Sequence, residues 1–322
     1  LVSYFWYQNI YFANNSMPKI PPLSEQVILI TGASTGIGAA LAETLATKFS
    51  GVRLVLAARN QSKLEAVASN CRQVGAQVLT VPTDMVQTEQ VKYLAKLAVE
   101  YFGRVDVLVN NAGYGQMGPM ELIPTEAVKE QFAVNFHAPL TLTQALVPFM
   151  RERGWGRIVN ISSLGGRIPF PATGMYSCSK FALEALSDVL RMELKGFNIQ
   201  VVVVEPGLVV TDFFRAAWEK VEQNIPDYGK SPYAPLFEHI EEIDRHLDLL
   251  GWSAEKTAKV IAKAIAARHP QPRYVAATGG NLLIFMMTKI FPTWARDAFW
   301  KRFYGIDKVE REWKRKNLQV KI

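Results

Sequence analysis

Short runs of β-branched and aliphatic residues alternate with longer stretches whose apolar positions recur every three or four residues, from Gln26 to about Ala277. This is the pattern of repeated strand–helix–strand units, in which helices cover both faces of a parallel sheet. The runs predict strands at Val27–Thr31, Arg53–Ala57, Gln77–Val81, Val105–Asn110, Arg157–Ser162, Gln200–Glu205 and Arg273–Ala277. Val27-Ile28-Leu29-Ile30 and Val201-Val202-Val203-Val204 show no polar alternation, so both are expected to be buried on two faces. The fold class is α/β, a doubly wound parallel sheet of about seven strands with helices on both faces.

The pattern divides the chain into three parts. Residues 1–22 are an N-terminal extension, aromatic but without a basic residue before Lys19. They do not read as a signal peptide, and an upstream-extended start ahead of Met17 fits them as well as a functional arm does. Residues 23–280 carry the strand–helix alternation and form the α/β body. Within it the periodicity fades over 212–252, where Phe213, Phe214, Trp218, Tyr228, Tyr233 and Phe237 are interspersed with Pro226, Pro232 and Pro235. An insertion of this length after a late strand is expected to be a lid or substrate-binding segment with short helices of its own. Residues 281–322 are a basic C-terminal extension, in which the apolar run Leu282–Met287 is followed by a second helix expected from Thr293 to Gly305.

With 49% hydrophobic and 20% charged residues the chain can bury a large core, which excludes intrinsic disorder. No run approaches the roughly 18 apolar residues of a membrane span. Two cysteines, Cys71 and Cys178, cannot build a disulfide framework, so a reducing, cytoplasmic setting is expected. The formal charge is +7, and ten Lys and Arg against four Asp and Glu after Gly280 place six of those charges in the tail. The near-neutral body argues against a nucleic-acid partner. In the tail, Phe299, Trp300, Phe303 and Tyr304 interleave with Arg296, Lys301 and Arg302, which suits peripheral contact with a membrane. The alternative is an amphipathic helix packed over the substrate pocket or on a partner subunit.

Thr31-Gly32-Ala33-Ser34-Thr35-Gly36-Ile37-Gly38 follows the first buried strand and opens a helical pattern. Glycines here allow a tight turn, close approach of backbone N–H groups to a pyrophosphate, and close helix packing. At the end of the second strand, where a carboxylate would hold the ribose hydroxyl of NAD, the residues are Ala57-Ala58-Arg59-Asn60. Arg59 suits a 2′-phosphate, with Ser34 adding a hydroxyl, so NADP(H) is expected over NAD(H). Asn110-Asn111-Ala112-Gly113 closes the fourth strand and suits a flat adenosine lying against the backbone. Tyr176 and Lys180 are four apart in a helical stretch and share one face. His137, His239, His246 and His269 lack ligand spacing, so no metal site is expected. A serine-hydrolase elbow is absent around Ser162-Ser163.

In this order, the pieces resemble the short-chain dehydrogenase/reductase family in its common short form, with the T-G-x-x-x-G-x-G turn and the Y-x-x-x-K pair. The likeness runs from about Leu23 to Thr278 and includes Asp84, Asn135, Ser163 thirteen positions before Tyr176, and Pro206-Gly207 with Thr211. It implies a Rossmann-type fold in which Asn135, Ser163, Tyr176 and Lys180 are catalytic. Cofactor contacts are implied for Gly32, Ser34, Thr35, Gly36, Ile37, Gly38, Arg59, Asp84, Asn111, Ala112 and Gly113. They are also implied for Tyr176, Lys180, Pro206, Gly207, Val209 and Thr211. A free tyrosine titrates near pH 10, too high for neutral acid–base work, and Lys180 is expected to supply the field that lowers it. By the same resemblance the lysine holds the nicotinamide ribose, Ser163 bonds the substrate oxygen and Asn135 supports a water relay. The implied activity is NADP(H)-dependent interconversion of a carbonyl and a secondary alcohol. The aromatic lid and tail favour a bulky apolar or lipid-like substrate, and a homo-oligomer is expected. A non-catalytic dinucleotide sensor or scaffold is the alternative, against which stands the presence of every catalytic residue.

Overall fold

In the computed structural model, which describes residues 20–247 and 251–319, every residue of the first strand is buried. The first half of the chain runs β1 (Val27–Thr31), α1 (Gly36–Lys48), β2 (Arg53–Ala58), α2 (Gln61–Gln73), β3 (Gln77–Pro82), α3 (Thr88–Phe102), β4 (Val107–Asn110), α4 (Thr125–Phe132) and α5 (Ala138–Glu152). The second half runs β5 (Gly156–Ile161), α6 (Gly174–Leu194), β6 (Ile199–Pro206), β7 (Val209–Val210), α7 (Phe213–Asn224), α8 (Ala234–Leu247), β8 (Trp252–Ser253), α9 (Ala254–Ala266) and β9 (Arg273–Ala276). The tail adds α10 (Gly280–Phe285), α11 (Thr293–Phe303) and α12 (Ile306–Gln319).

Seven strands form one parallel sheet in the order β3-β2-β1-β4-β5-β6-β9. The chain winds outward from β1 to β3, returns beside β1 at β4 and winds outward again. Because all strands are parallel, their carboxyl ends share one edge, and the reversal between β1 and β4 opens a crevice there. Ile28 and Ile30 point into one apolar cluster with α1, α2 and α9, and Val27 and Leu29 into another with α3 and α5. Burial on both faces is why these strands carry no polar alternation; each fully buried Ile or Leu contributes about 1.5–3 kcal/mol.

Predicted strand positions agree with the structure to within a residue or two at either end, the strands after the third crossover being Val107–Asn110 and Gly156–Ile161. The two-residue pair β7–β8 was not anticipated, since two residues carry no periodicity. Segment 212–252 folds into α7, a 3-10 turn at Tyr228–Lys230 and α8 around Val221, Ile225 and Phe237. Residues 248–250 of that segment lie outside the described residues, as do residues 1–19 of the N-terminal extension. In the tail, α11 ends at Phe303 rather than Gly305, whose φ of 70° stops the helix, and α12 follows unannounced by the sequence pattern. Among the described residues no helix is long and apolar enough to cross a membrane.

A buried carboxylate joins the two central strands. Asp106, fully buried, accepts the backbone N–H of Val27 at 2.9 Å and pairs with Arg104. Removing it orphans an interior N–H and a half-buried guanidinium. Asp106→Ala is expected to lower unfolding free energy by about 2 kcal/mol in a urea titration, with the slope unchanged.

Candidate active site

Strand β1 ends at Thr31, and the chain reverses into α1 through two left-handed glycines, Gly32 (φ 65°) and Gly36 (φ 57°). A Cβ on Gly32 would lie 2.9 Å from the Ala112 backbone, and one on Gly38 would collide with the Gly32 carbonyl. The turn is drawn tightly against β4 by Asn111. Its amide donates to the carbonyls of Thr31 (2.9 Å) and Gly32 (3.2 Å), while the Asn111 and Ala112 N–H groups both donate to the Thr31 hydroxyl at 3.0 Å. The side chain of Asn111 is thus spent on the scaffold. Thr35 precedes α1 without a side-chain cap, so the amides of the first turn, including Ile37, are left to an outside acceptor. This cradle fits the pyrophosphate of a dinucleotide.

Ser34 and Thr35 lie on the rim of the turn. Arg59 is exposed at the end of β2 and makes no hydrogen bond or ion pair among the described residues. Asp84, after β3, accepts the Val86 N–H at 3.1 Å. The strand order sets Arg59 and Asp84 on the opposite side of the glycine turn from Tyr176.

On that other side, α6 carries Tyr176, Lys180 and Glu184 at successive four-residue steps, hence on one face. Ser163 follows β5 and accepts the Gly165 N–H at 3.0 Å, and its hydroxyl also bonds the Tyr176 phenol. Lys180 is only 4% exposed, and its Nζ donates to the Ile161 carbonyl at 2.8 Å. Asn135 is fully buried in a π-helical turn, Ala133–His137. Its Oδ1 accepts the Tyr114 N–H at 3.2 Å, and its Nδ2 donates to the Tyr114 carbonyl and the Ser179 hydroxyl at 3.0 Å. A Cβ on Gly113 would stand 3.2 Å from Asn135 Oδ1 and 3.4 Å from Lys180 Nζ, so Gly113 lies against both side chains.

Burial governs the charges. It pushes the Tyr176 phenol up to about 12, opposed by the Ser163 hydroxyl. The lowering field anticipated from Lys180 does not prevail, because its ammonium lies 5.8 Å from the ring centroid and faces a carbonyl. Burial also drives Lys180 down to about 8, opposed by the Glu184 carboxylate. Behind Lys180, Arg273 of β9 donates to Glu184 at 3.0 Å and Asp188 at 2.8 Å and pairs with Glu205 at 3.2 Å, which Arg167 also holds at 2.9 Å. Sequence reasoning missed this network. Only the spacing from Lys180 to Glu184 was legible; the strand order β5-β6-β9 assembles the rest.

A cavity of about 860 Å³ opens above these groups. Ile37, Asn111, Gly113, Ser163, Tyr176 and Lys180 line it, and Pro206, Gly207, Val209 and Thr211 complete the strand-end wall. Gly32, Gly36, Gly38, Ala112 and Asn135 lie outside the lining, as do Arg59 and Asp84. Thr211 closes over the turn, its methyl 3.3 Å from where a Gly36 Cβ would be. Phe213, Phe214 and Trp218 descend from the lid; Leu283, Trp300, Phe303 and Tyr304 come from the tail. Trp300 stacks edge-on against Phe170, centroids 4.8 Å apart.

The family model for short chain dehydrogenases matches residues 26–222, and the chain belongs to that family. It is 34% identical over 250 residues to a 3-ketodihydrosphingosine reductase of Bacteroides thetaiotaomicron, covering 77% of this chain and 86% of that protein. Over 235 residues it is 35% identical to a glycine betaine reductase of Emericella nidulans, but spans only 18% of that much longer protein. Among solved structures, a short-chain dehydrogenase of Burkholderia phymatum in complex with NAD aligns with a TM-score of 0.72 at 25% identity, over 83% of this chain and 94% of that one. A metagenomic short-chain oxidoreductase in complex with NADP aligns with a TM-score of 0.62 at 28% identity, over 79% and 97%. The protein is accordingly a short-chain oxidoreductase of the carbonyl–alcohol type.

A charged lysine in this position costs stability. With its pKa depressed from 10.5 to about 8, Lys180 binds fewer protons when folded than when unfolded between those two values. Wild-type stability therefore gains from this group as pH rises from about 8 to 10.5, and below 8 the penalty is present in full. Lys180→Met is expected to raise unfolding free energy at pH 7 by about 1–3 kcal/mol, an advantage that shrinks as urea titrations are repeated toward pH 10.

Proposed function

We propose that the protein reduces a bulky apolar ketone to a secondary alcohol using NADPH. The observation that carries this reading is the placement of the Ser163 and Tyr176 side chains at the wall of a large cavity whose other walls are aromatic. A ketone entering it can bury its apolar body and present its oxygen to those hydroxyls. Tyr176, protonated at neutral pH because burial raises its pKa, donates its proton to the carbonyl oxygen. Ser163 bonds the same oxygen and orients it. Lys180, cationic below about pH 8, favours the phenolate that the proton leaves behind. Asn135, adjoining Lys180 through Gly113, supports a water route by which the proton is replaced. When bound, the nicotinamide supplies the hydride that the carbonyl carbon accepts.

For the cofactor, the cradle of Gly32, Gly36, Ile37 and Gly38 takes the pyrophosphate. Arg59 with Ser34 and Thr35 takes the 2′-phosphate, and Asp84 the adenine end. Ala112, Gly113, Pro206, Gly207, Val209, Thr211 and Lys180 hold the nicotinamide half. The preference for NADPH rests on the unpaired Arg59 and the missing carboxylate at Ala58. The similarity to the Bacteroides ketone reductase supports the substrate class. Exposed Phe149, Phe181, Val189 and Met192 on α5 and α6 support a homo-oligomer.

Tyr176→Phe preserves the ring and its contact with Phe213, centroids 5.5 Å apart, and removes the proton donor. Turnover of a ketone panel, followed by NADPH absorbance, is expected to drop at least about a hundredfold with cofactor binding retained; normal turnover would refute the assignment. Arg59→Ala is expected to weaken NADPH binding about tenfold or more and leave NADH nearly unchanged. Equal weakening of both would make Arg59 a structural residue.

A further inference from the structure

The tail has two faces, and the cavity accounts for only one. Along α10 and the π-helical turn that follows it (Met286–Ile290), Ile284 and Met287 are buried against Ile168, while Leu282, Phe285, Lys289 and Ile290 stand exposed on the outer row. Leu282 is 65% exposed, and Trp294, at the start of α11, 75%. Phe299 and Phe303 stack with centroids 6.0 Å apart and remain nearly half exposed. Six large apolar side chains are thus presented to solvent by one short stretch of chain, well beyond the scattered exposure normal for a surface.

What surrounds them selects the occupant. From residue 281 to 304 the chain carries Lys289, Arg296, Lys301 and Arg302 against Asp297 alone, a net charge of +3. Lys289 and Arg302 are exposed and make no ion pair among the described residues, and Lys301 reaches Glu310 only at 3.9 Å. A second copy seated on this face would bring like charges together, and lysine is depleted from the cores of protein interfaces. Aromatic and aliphatic side chains among cations instead match the boundary of an anionic bilayer, where rings enter the headgroup region and cations meet lipid phosphates.

The face is continuous with the cavity. Phe303 is both 46% exposed and part of the cavity wall, and Leu283 on the wall adjoins the exposed Leu282. We propose that the outer face of residues 282–303 docks on an anionic membrane, and that the apolar substrate enters the cavity from the bilayer past Leu283 and Phe303. The entry route rests on the function proposed above; the docking does not.

The test uses the full chain and two sets of vesicles, phosphatidylcholine alone and phosphatidylcholine with phosphatidylserine. Cosedimentation is expected with the serine lipid and release at high salt. The triple variant Leu282→Ser, Phe285→Ser, Trp294→Ser, none of whose positions lines the cavity, is expected to bind those vesicles at least about tenfold more weakly. Lys289→Glu with Arg302→Glu is expected to abolish the difference between the two lipids. Both variants should reduce a short water-soluble ketone as the wild type does, whereas the KM for a long-chain ketone presented in vesicles should rise in the triple variant. Wild type that fails to sediment, or a triple variant that sediments equally well, overturns the docking. A triple variant that loses self-association in sedimentation velocity, with no vesicle binding by the wild type, assigns the face to a second copy and also overturns it. Loss of activity on the soluble ketone in every form would refute the proposed reaction while leaving the vesicle result to stand or fall by itself.

Discussion

Everything at this site depends on how closely the ends of β1 and β4 approach one another. Asn111, Ala112, Thr31 and Gly32 are clasped by four hydrogen bonds through the Asn111 amide and the Thr31 hydroxyl, and a Cβ on Gly32 would lie 2.9 Å from the Ala112 backbone. The clasp aims α1 at the crevice with its first amides unspent, and a larger residue at Gly32 or Gly38 would push the strand ends apart. A sheet whose winding reverses at this point leaves no helix above it, so the crevice is a product of topology and the clasp sets its shape.

The Tyr176 end of the crevice is organised by burial and its cost. Tyr176 and Lys180 share a helix face with Glu184, and removing all three from water pushes the phenol up and the ammonium down. Each shift is held back by a neighbour. The Ser163 hydroxyl opposes the first and the Glu184 carboxylate the second, and Glu184 is itself held by Arg273 from the outermost strand. The ion pairs behind the site therefore act on the protonation of Lys180 through Glu184, although a buried network of this kind adds little net stability.

Lid and tail turn this polar floor into the base of an apolar chamber. Phe213 reaches the Tyr176 ring from one side, and Trp300 reaches Phe170 from the other. The packed-helix alternative raised by the sequence describes Ile284, Met287, Trp300 and Tyr304, which pack on the domain or line the cavity, so of the four aromatics that suggested a membrane only Phe299 and Phe303 stand exposed.

Much of this was legible in the sequence because it depends on local spacing. Uninterrupted aliphatic runs reveal strands buried on both faces, glycines at fixed offsets reveal a turn that tolerates no side chain, and Tyr176 and Lys180 four apart reveal a shared helix face. Contacts made by residues distant in sequence were not legible. That Asn111 spends its amide on β1, that Arg273 stands behind Lys180 across 93 positions of chain, and that Trp300 meets Phe170 all follow from strand order and helix packing. The pKa shifts share that origin, since burial is a property of the assembled core. Sequence named the chemical groups, and tertiary structure decided their environment, because desolvation and charge act through space and not along the chain.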